Sequence, residues 1–219
     1  MSDPIMASEP SSSPAEPWSA DSKQTIRLSI IAPAHNEQEN LPKLFEQVQG
    51  AMAETDIDFE MVVVDDGSTD RTRHVLAEQM ARHPWLRALT MTRTPPGRGN
   101  GQSAAFYAGI RASRGRRIAL IDADLQNDPA DLPRMLEKLE TEQAQMVQGD
   151  RTANRQDGGG RRFSSWVGRT FRRCMLGDRI RDTGCSLRVF DREVGLALPL
   201  QYKGMHRFIP FYARQLGYR

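Results

Sequence analysis

Apolar residues along this chain switch repeatedly between two spacings. From Ile26, IRLSIIAP is an apolar run of strand length that stops at Pro33. Leu41, Leu44, Phe45, Val48 and Met52 then recur three and four residues apart, the spacing of a helix that buries one face. Asn36 and Glu39 precede that helix with the separation of a capping box. The unit repeats: FEMVVVDD is a β-branched strand, GST its turn, and a helix is expected from about Thr69 to Arg82 with Ser68 or Thr69 as its cap. LRALTMT is a third strand, followed by a glycine-rich loop and a helix from about Gln102 to Ser113. RRIALID is a fourth and leads into DADLQNDPADLPRML. There Asp128 suits an N-cap, Pro129 a first helical residue, and Leu132, Met135, Leu136 and Leu139 form an apolar stripe. QMVQGD is the fifth expected strand.

Strands alternating with helices through short connections predict an α/β fold, a mainly parallel central sheet covered by helices on both faces. In such sheets ligands bind beyond the carboxyl ends of the strands. The polar motifs fall there: Asn36 and Glu37 after the first strand, Asp65 and Asp66 after the second, Asp122 and Asp124 after the fourth. One rim is thus expected to collect at least five carboxylates. Asp65 and Asp66 have two readings, a turn with a helix cap or a binding pair. Asp122 and Asp124, two apart in an extended segment, would face one point, where a cation relieves their repulsion. Oxygen-only ligation suits Mg²⁺ or Mn²⁺ completed by substrate phosphates, with Gln126 as a further contact. Gly99, Gly101 and Ala104 match a dinucleotide fingerprint only loosely and follow the third strand instead of opening the domain. They read better as a mobile loop over a donor.

Composition narrows the classes. At 219 residues with 38% hydrophobic and 26% charged residues, the chain supports one folded domain, residues 25–219, behind a Ser- and Pro-rich tail, residues 1–24, expected to be disordered. No apolar run approaches the ~18 residues of a membrane span, and no signal-peptide block opens the chain, so a cytoplasmic or peripheral protein is expected. Cys174 and Cys185, without a C-x-x-C pair and with only four histidines in the chain, read as reduced, packed thiols and not as a zinc site. The net charge of +2 conceals nine arginines against Asp157 and Asp178 in residues 151–181. Within that stretch Phe163, Trp166, Val167, Thr170, Phe171, Cys174 and Met175 share a helical face, with Arg162, Arg169, Arg172 and Arg173 largely elsewhere. Core packing, a membrane interface and RNA binding all suit this pattern.

Four motifs stand in order: APAHNE at 32–37, VVVDDGSTD at 62–70, GNGQSAAFYAG at 99–109 and DADLQNDP at 122–129. Together they resemble family-2 glycosyltransferases of the GT-A nucleotide-diphospho-sugar fold. DADLQNDP, with GDR at 149–151 and TGCSLRVF at 183–190, is most similar to the dolichyl- and undecaprenyl-phosphate glycosyltransferase branch. The resemblance runs from about Ile26 to the end.

That resemblance implies an inverting transfer from a nucleotide-sugar, GDP-mannose or a UDP-sugar, to a polyprenyl phosphate. It places Pro33, His35, Glu37, Val64 and Asp66 at nucleoside-binding positions, with His35 where many relatives carry tyrosine, able to stack on a base or to serve the loop alone. Asp122, Ala123 and Asp124 match diphosphate and metal positions, and Gln126 a further metal contact. Arg151 matches a phosphate-binding arginine, and Arg162 with Ser164 or Ser165 falls near acceptor-phosphate contacts. A phosphate acceptor is already anionic and needs no general base; for a hydroxyl acceptor Asp182 is the candidate base, its other reading a turn residue before Gly184. The resemblance further implies contact with a membrane surface at its cytoplasmic face and counts against a nucleic-acid partner. Relatives continue beyond the position of Arg219, so a C-terminal truncation is expected. Rival readings are a transferase acting on a saccharide hydroxyl and a non-catalytic nucleotide- or membrane-binding remnant.

Overall fold

The computed structural model describes residues 26–94, 98–149 and 185–219. The expected tail, Arg151, Arg162, Ser164, Ser165, Cys174, Asp182 and the arginine-rich stretch all lie outside the described residues.

Six described strands form one sheet: β1 (Leu28–Ala34), β2 (Phe59–Asp65), β3 (Leu86–Thr90), β4 (Arg117–Leu120), β5 (Met146–Gln148) and β6 (Arg188–Asp191), in the order β3-β2-β1-β4-β6-β5. The first four are mutually parallel. β6 runs antiparallel between β4 and β5, pairing Leu120 with Arg188 and Gln148 with Arg188. The helices are α1 (Leu41–Ala53), α2 (Thr72–Arg82), α3 (Gln102–Ala112), α4 (Asp131–Thr141), α5 (Arg192–Ala197) and α6 (Ile209–Gln215), with a 3₁₀ turn at Met205–Phe208.

Strand residues alternate between two cores, as the two-residue repeat of a strand requires. Ile30, Met61, Val63, Ala119 and Val189 face one side with Leu44, Phe45 and Val48 of α1 and Leu132, Leu136 and Leu139 of α4. Ile31, Val62, Val64, Ile118 and Phe190 face the other with Phe106 and Ile110 of α3, Val194 of α5 and Ile209 of α6. Helices therefore cover both faces, as expected. α3 sits close on the sheet at Gly109, where an added Cβ would lie 2.4 Å from Ile31 Cγ2.

Several local expectations are corrected. β1 does not stop at Pro33 but runs through Ala34. Pro33 is tolerated because the β1–β4 ladder has already ended at Ile31↔Leu120, so its missing N–H deprives no partner. Asn36 and Glu39 form no capping box, since α1 begins at Leu41 after Asn40, and Asn36, at φ 60°, bonds instead to the loop after β2. Neither Ser68 nor Thr69 caps α2. That helix begins at Thr72, whose N–H is taken by Asp70 Oδ1 at 3.0 Å, while Ser68 Oγ accepts the Asn36 N–H. Asp128 is not the N-cap of α4 and Pro129 is not its first residue: the helix begins at Asp131 after Ala130, and Asp128 Oδ1 instead accepts the Ala130 N–H at 2.9 Å in the preceding turn. Asp122 and Asp124 are not in an extended segment: β4 ends at Leu120 and the chain turns, with Leu125 at φ 62°.

Candidate active site

The carboxyl ends of β1 to β5 and the amino end of β6 form one rim, and the loops there are bonded to one another. The loop after β1 is zipped to the loop after β2. Asn36 Oδ1 accepts the N–H groups of Thr69 and Asp70 at 2.8 and 3.3 Å, and Thr72 Oγ1 accepts the Glu37 N–H at 2.9 Å. Gln38 Oε1 accepts the Arg71 N–H at 2.9 Å. The His35 ring closes the same seam: its Nδ1 is 2.8 Å from the Asp66 carbonyl, which can only accept, so Nδ1 carries the proton.

The adjacent acids Asp65 and Asp66 have different jobs. Asp65 is fully buried; its carboxylate accepts the Ser68 N–H at 2.9 Å and Arg73 Nε at 2.6 Å, which is the turn reading. Asp66 faces a cleft. Its carboxylate accepts the N–H groups of Asn100 at 2.8 Å and Gly101 at 2.6 Å, so it holds the glycine-rich segment that precedes α3. Gly99 has φ +64°, and an added Cβ there would lie 2.6 Å from Asp66 Oδ2 and 2.8 Å from its carbonyl, so only glycine fits this turn. The same segment reaches the other side of the cleft, where Gln102 Nε2 donates to Asp122 Oδ1. The segment expected to be a mobile loop is in this structure a strap bonded to Asp66 through Asn100 and Gly101 and to Asp122 through Gln102.

The cleft under this strap has a volume of about 360 Å³. Of the residues singled out in the sequence, Pro33, His35, Glu37, Asp66, Asp122, Ala123 and Asp124 line it together. Four carboxylates reach it and not five, because Asp65 is committed below. Val64 does not line it: fully buried on β2, it packs against α3, with Cγ2 3.1 Å from where a Gly109 Cβ would stand. Gln126 is not among the residues that line the cleft; its backbone N–H donates to Asp124 Oδ1 at 3.1 Å. The sequence reading missed Arg98, Gln102 and Ala105, which also line the cleft. The signal for Arg98 and Gln102 was present as polar side chains within the glycine-rich segment.

Among the described residues no cluster of three or more His, Cys, Asp or Glu side chains is placed to hold a metal. Asp122 and Asp124 offer two hard oxygen donors on one wall of an open cleft. That donor set fits Mg²⁺ or Mn²⁺, which keep waters and take substrate phosphates, and does not suit a softer ion.

A second linkage joins α3 to the 3₁₀ turn. Ser103 Oγ accepts the His206 N–H at 3.0 Å and lies 2.8 Å from His206 Nδ1, within hydrogen-bond reach. Burial, with the positive charges of Arg207 and Arg188, lowers the His206 pKa from 6.5 to about 4. Between about pH 4 and 6.5 the folded protein thus holds this ring neutral while the unfolded chain protonates it. Its contribution to stability is complete above about pH 6.5 and falls as the pH drops towards 4. His206→Asn, which keeps a polar partner for Ser103 of either sense, is expected to flatten that part of the stability–pH curve. Urea midpoints at intervals from pH 7 to pH 4 test this, and an unchanged slope in the variant would refute it.

No described helix is long and apolar enough to cross a membrane. Dodecaprenyl-phosphate galacturonate synthase from Rhizobium johnstonii is 37% identical over 196 residues, covering 87% of this chain and 55% of that protein. Undecaprenyl-phosphate 4-deoxy-4-formamido-L-arabinose transferase from Photorhabdus laumondii is 34% identical over 194 residues, covering 87% of this chain and 57% of that protein. The chain therefore spans about half the length of the curated relatives it matches. Among solved structures, glucosyl-3-phosphoglycerate synthase from Mycobacterium tuberculosis, in complex with Mn²⁺, UDP and phosphoglyceric acid, superposes with a TM-score of 0.65 at 20% identity, covering 87% of this chain and 64% of that one. The fold is thus of the GT-A type expected from the motifs. Residues 29–195, from β1 into α5 and including every cleft-lining residue named above, match glycosyl transferase family 2, and the chain belongs to that family.

Proposed function

We propose that this chain is the catalytic unit of an inverting glycosyltransferase that moves a sugar from a nucleotide-sugar to a polyprenyl phosphate. The observation that carries the donor half is the convergence of Pro33, His35, Glu37, Asp66, Asp122 and Asp124 on one cleft at the carboxyl rim of the sheet. The acceptor half is supported by the two prenyl-phosphate transferases that align with 87% of the chain. Gln148 ends β5 at this rim, three residues before Arg151, which the motif resemblance assigns to a phosphate, as it assigns Arg162 and Ser164 to the acceptor.

In this reading Pro33, His35, Glu37 and Asp66 hold the nucleoside, and Asp122, Ala123 and Asp124 the diphosphate end. Asp122 and Asp124 would hold Mg²⁺ or Mn²⁺, which would neutralise charge on the departing nucleoside diphosphate; solved structures of similar fold contain either ion. The protein's own work is alignment. The bonded loops after β1 and β2 fix the nucleoside wall, and the strap from Asp66 to Asp122 fixes the distance between nucleoside and diphosphate ends. A phosphate monoester brings its own negative oxygen as nucleophile, so no side chain has to remove a proton.

Peripheral contact with the cytoplasmic face of a membrane belongs to the same proposal. Tyr202, Phe208 and Leu216 are exposed near Lys203, Arg207 and Arg214 in the sequence, a mix of apolar and basic groups suited to an anionic lipid surface.

The test is a transfer assay with labelled GDP-mannose, UDP-glucose or UDP-N-acetylglucosamine, Mg²⁺ or Mn²⁺, and polyprenyl phosphate in detergent. Metal-dependent label in the organic phase is expected. Label that stays in water, on an added saccharide or a small phosphorylated acceptor, would overturn the acceptor and leave the donor reading standing.

A further inference from the structure

We propose that Arg98 is the side chain that grips the donor diphosphate, and that the strap carrying it is held in place for that contact by Asp66 and Asp122. The inference rests on the nucleotide-sugar reading of the cleft. It begins with charge: the described lining carries four carboxylates, Glu37, Asp66, Asp122 and Asp124, and Arg98 is the one Arg or Lys among them. A divalent cation balanced by Asp122 and Asp124 leaves Glu37 and Asp66 facing an incoming anion. A diphosphate entering such a cleft needs a further positive group beside it.

Arg98 stands in the cleft lining itself, whereas several other described arginines of the sheet are committed away from it. Arg27 pairs with Glu140, Arg73 with Asp65, Arg87 and Arg114 with Glu60, and Arg117 with Asp191. Arg192 donates to Ser113. Arg98 is exposed at the cleft and makes no hydrogen bond or ion pair with a described residue. Its backbone, in contrast, is closely held. Gly99 next to it occupies a turn that no side chain fits, Asn100 and Gly101 are bonded to Asp66, and Gln102 is bonded to Asp122. A long side chain thus springs from a fixed point between the ends of β2 and β4. Its planar fork can meet two phosphate oxygens at once, a geometry that an ammonium does not reproduce.

The experiment is calorimetric titration of the full 219-residue chain with UDP and GDP, and with uridine and guanosine, in the presence of Mg²⁺. Arg98→Met, which keeps the length of the side chain, is expected to weaken binding of the preferred nucleoside diphosphate by about 10- to 100-fold and leave the matching nucleoside unchanged. Arg98→Lys should fall between. Equal diphosphate affinity in wild type and Arg98→Met overturns the role of Arg98 while the donor reading stands. Equal weakening of nucleoside and diphosphate also overturns it, since that marks a disturbed strap. If neither UDP nor GDP binds the wild type, the donor reading fails and takes this assignment with it.

Discussion

Asp124→Asn is expected to lower sugar transfer by roughly 10²- to 10³-fold while leaving the fold in place. The side chain is exposed on the cleft wall, and the contact it makes inside the turn is acceptance of the Gln126 N–H by Oδ1 at 3.1 Å. Asparagine keeps that oxygen, so the turn with Leu125 at φ 62° survives and the loss of stability should stay within about 0.5 kcal/mol. The change removes one unit of negative charge from the pair Asp122 and Asp124, and a hard divalent cation is held mainly by that charge. The loss should therefore be partly recovered at high metal concentration, which a purely structural defect would not show. Transfer rates across a Mn²⁺ titration, with thermal unfolding as the control, decide it. A folded variant with wild-type turnover would remove the metal assignment from Asp124.

The architecture was legible because each strand end is marked by an abrupt change of period. VVVDD and IALIDAD pass from continuous apolar runs to acids, and this contrast alone predicts which residues reach the rim. What each acid does there was not legible. Asp65 and Asp66 are neighbours of the same type and both are buried, yet one is sealed against Arg73 and the other lines the cleft while holding the strap. Which is which depends on the position of α2 relative to the strap, not on local pattern. The capping of α1 failed for a similar reason: the polar groups of Asn36 go to Thr69 and Asp70, 33 and 34 residues away, where a local rule does not look. β6 carries only four residues, RVFD, too few to display a period, and its place between β4 and β5 is fixed by long-range pairing. Arg98 stood in plain view within a glycine-rich segment, but nothing short of the fold connects it with Asp66 and Asp122.

Glu60→Ala is expected to destabilise the protein by about 3 kcal/mol, the lower end for removing one partner from a buried ion pair. Glu60 lies at the end of the sheet opposite the cleft and is 1% exposed. Its Oε1 accepts Ser29 Oγ–H at 2.8 Å and the Arg114 N–H at 2.6 Å; its Oε2 accepts Arg87 Nη1 at 2.8 Å and Arg114 Nε at 2.9 Å. Ser29 Oγ in turn takes the Gly115 N–H at 2.8 Å. One carboxylate therefore ties β1, β2, β3 and the turn between α3 and β4. Alanine strands the buried Ser29 hydroxyl and the Arg114 N–H. The two guanidinium groups are partly exposed and regain water, which keeps the cost at the lower end. Burial pushes the Glu60 pKa up, but the hydrogen bonds from Arg87, Ser29 and Arg114 outweigh it and hold the group below its ordinary 4.5. Its contribution is complete above pH 4.5 and is lost as the pH falls through the lowered folded value. Denaturant midpoints of wild type and Glu60→Ala should accordingly converge on acidification. A constant gap between them down to pH 3 would show that the cost of alanine is lost packing and not the loss of an ionised hub. Glu60 sits at the opposite ends of the strands β1 and β2 that carry His35 and Asp66, so the same variant should loosen the donor cleft only through global unfolding, with donor affinity intact in whatever fraction remains folded.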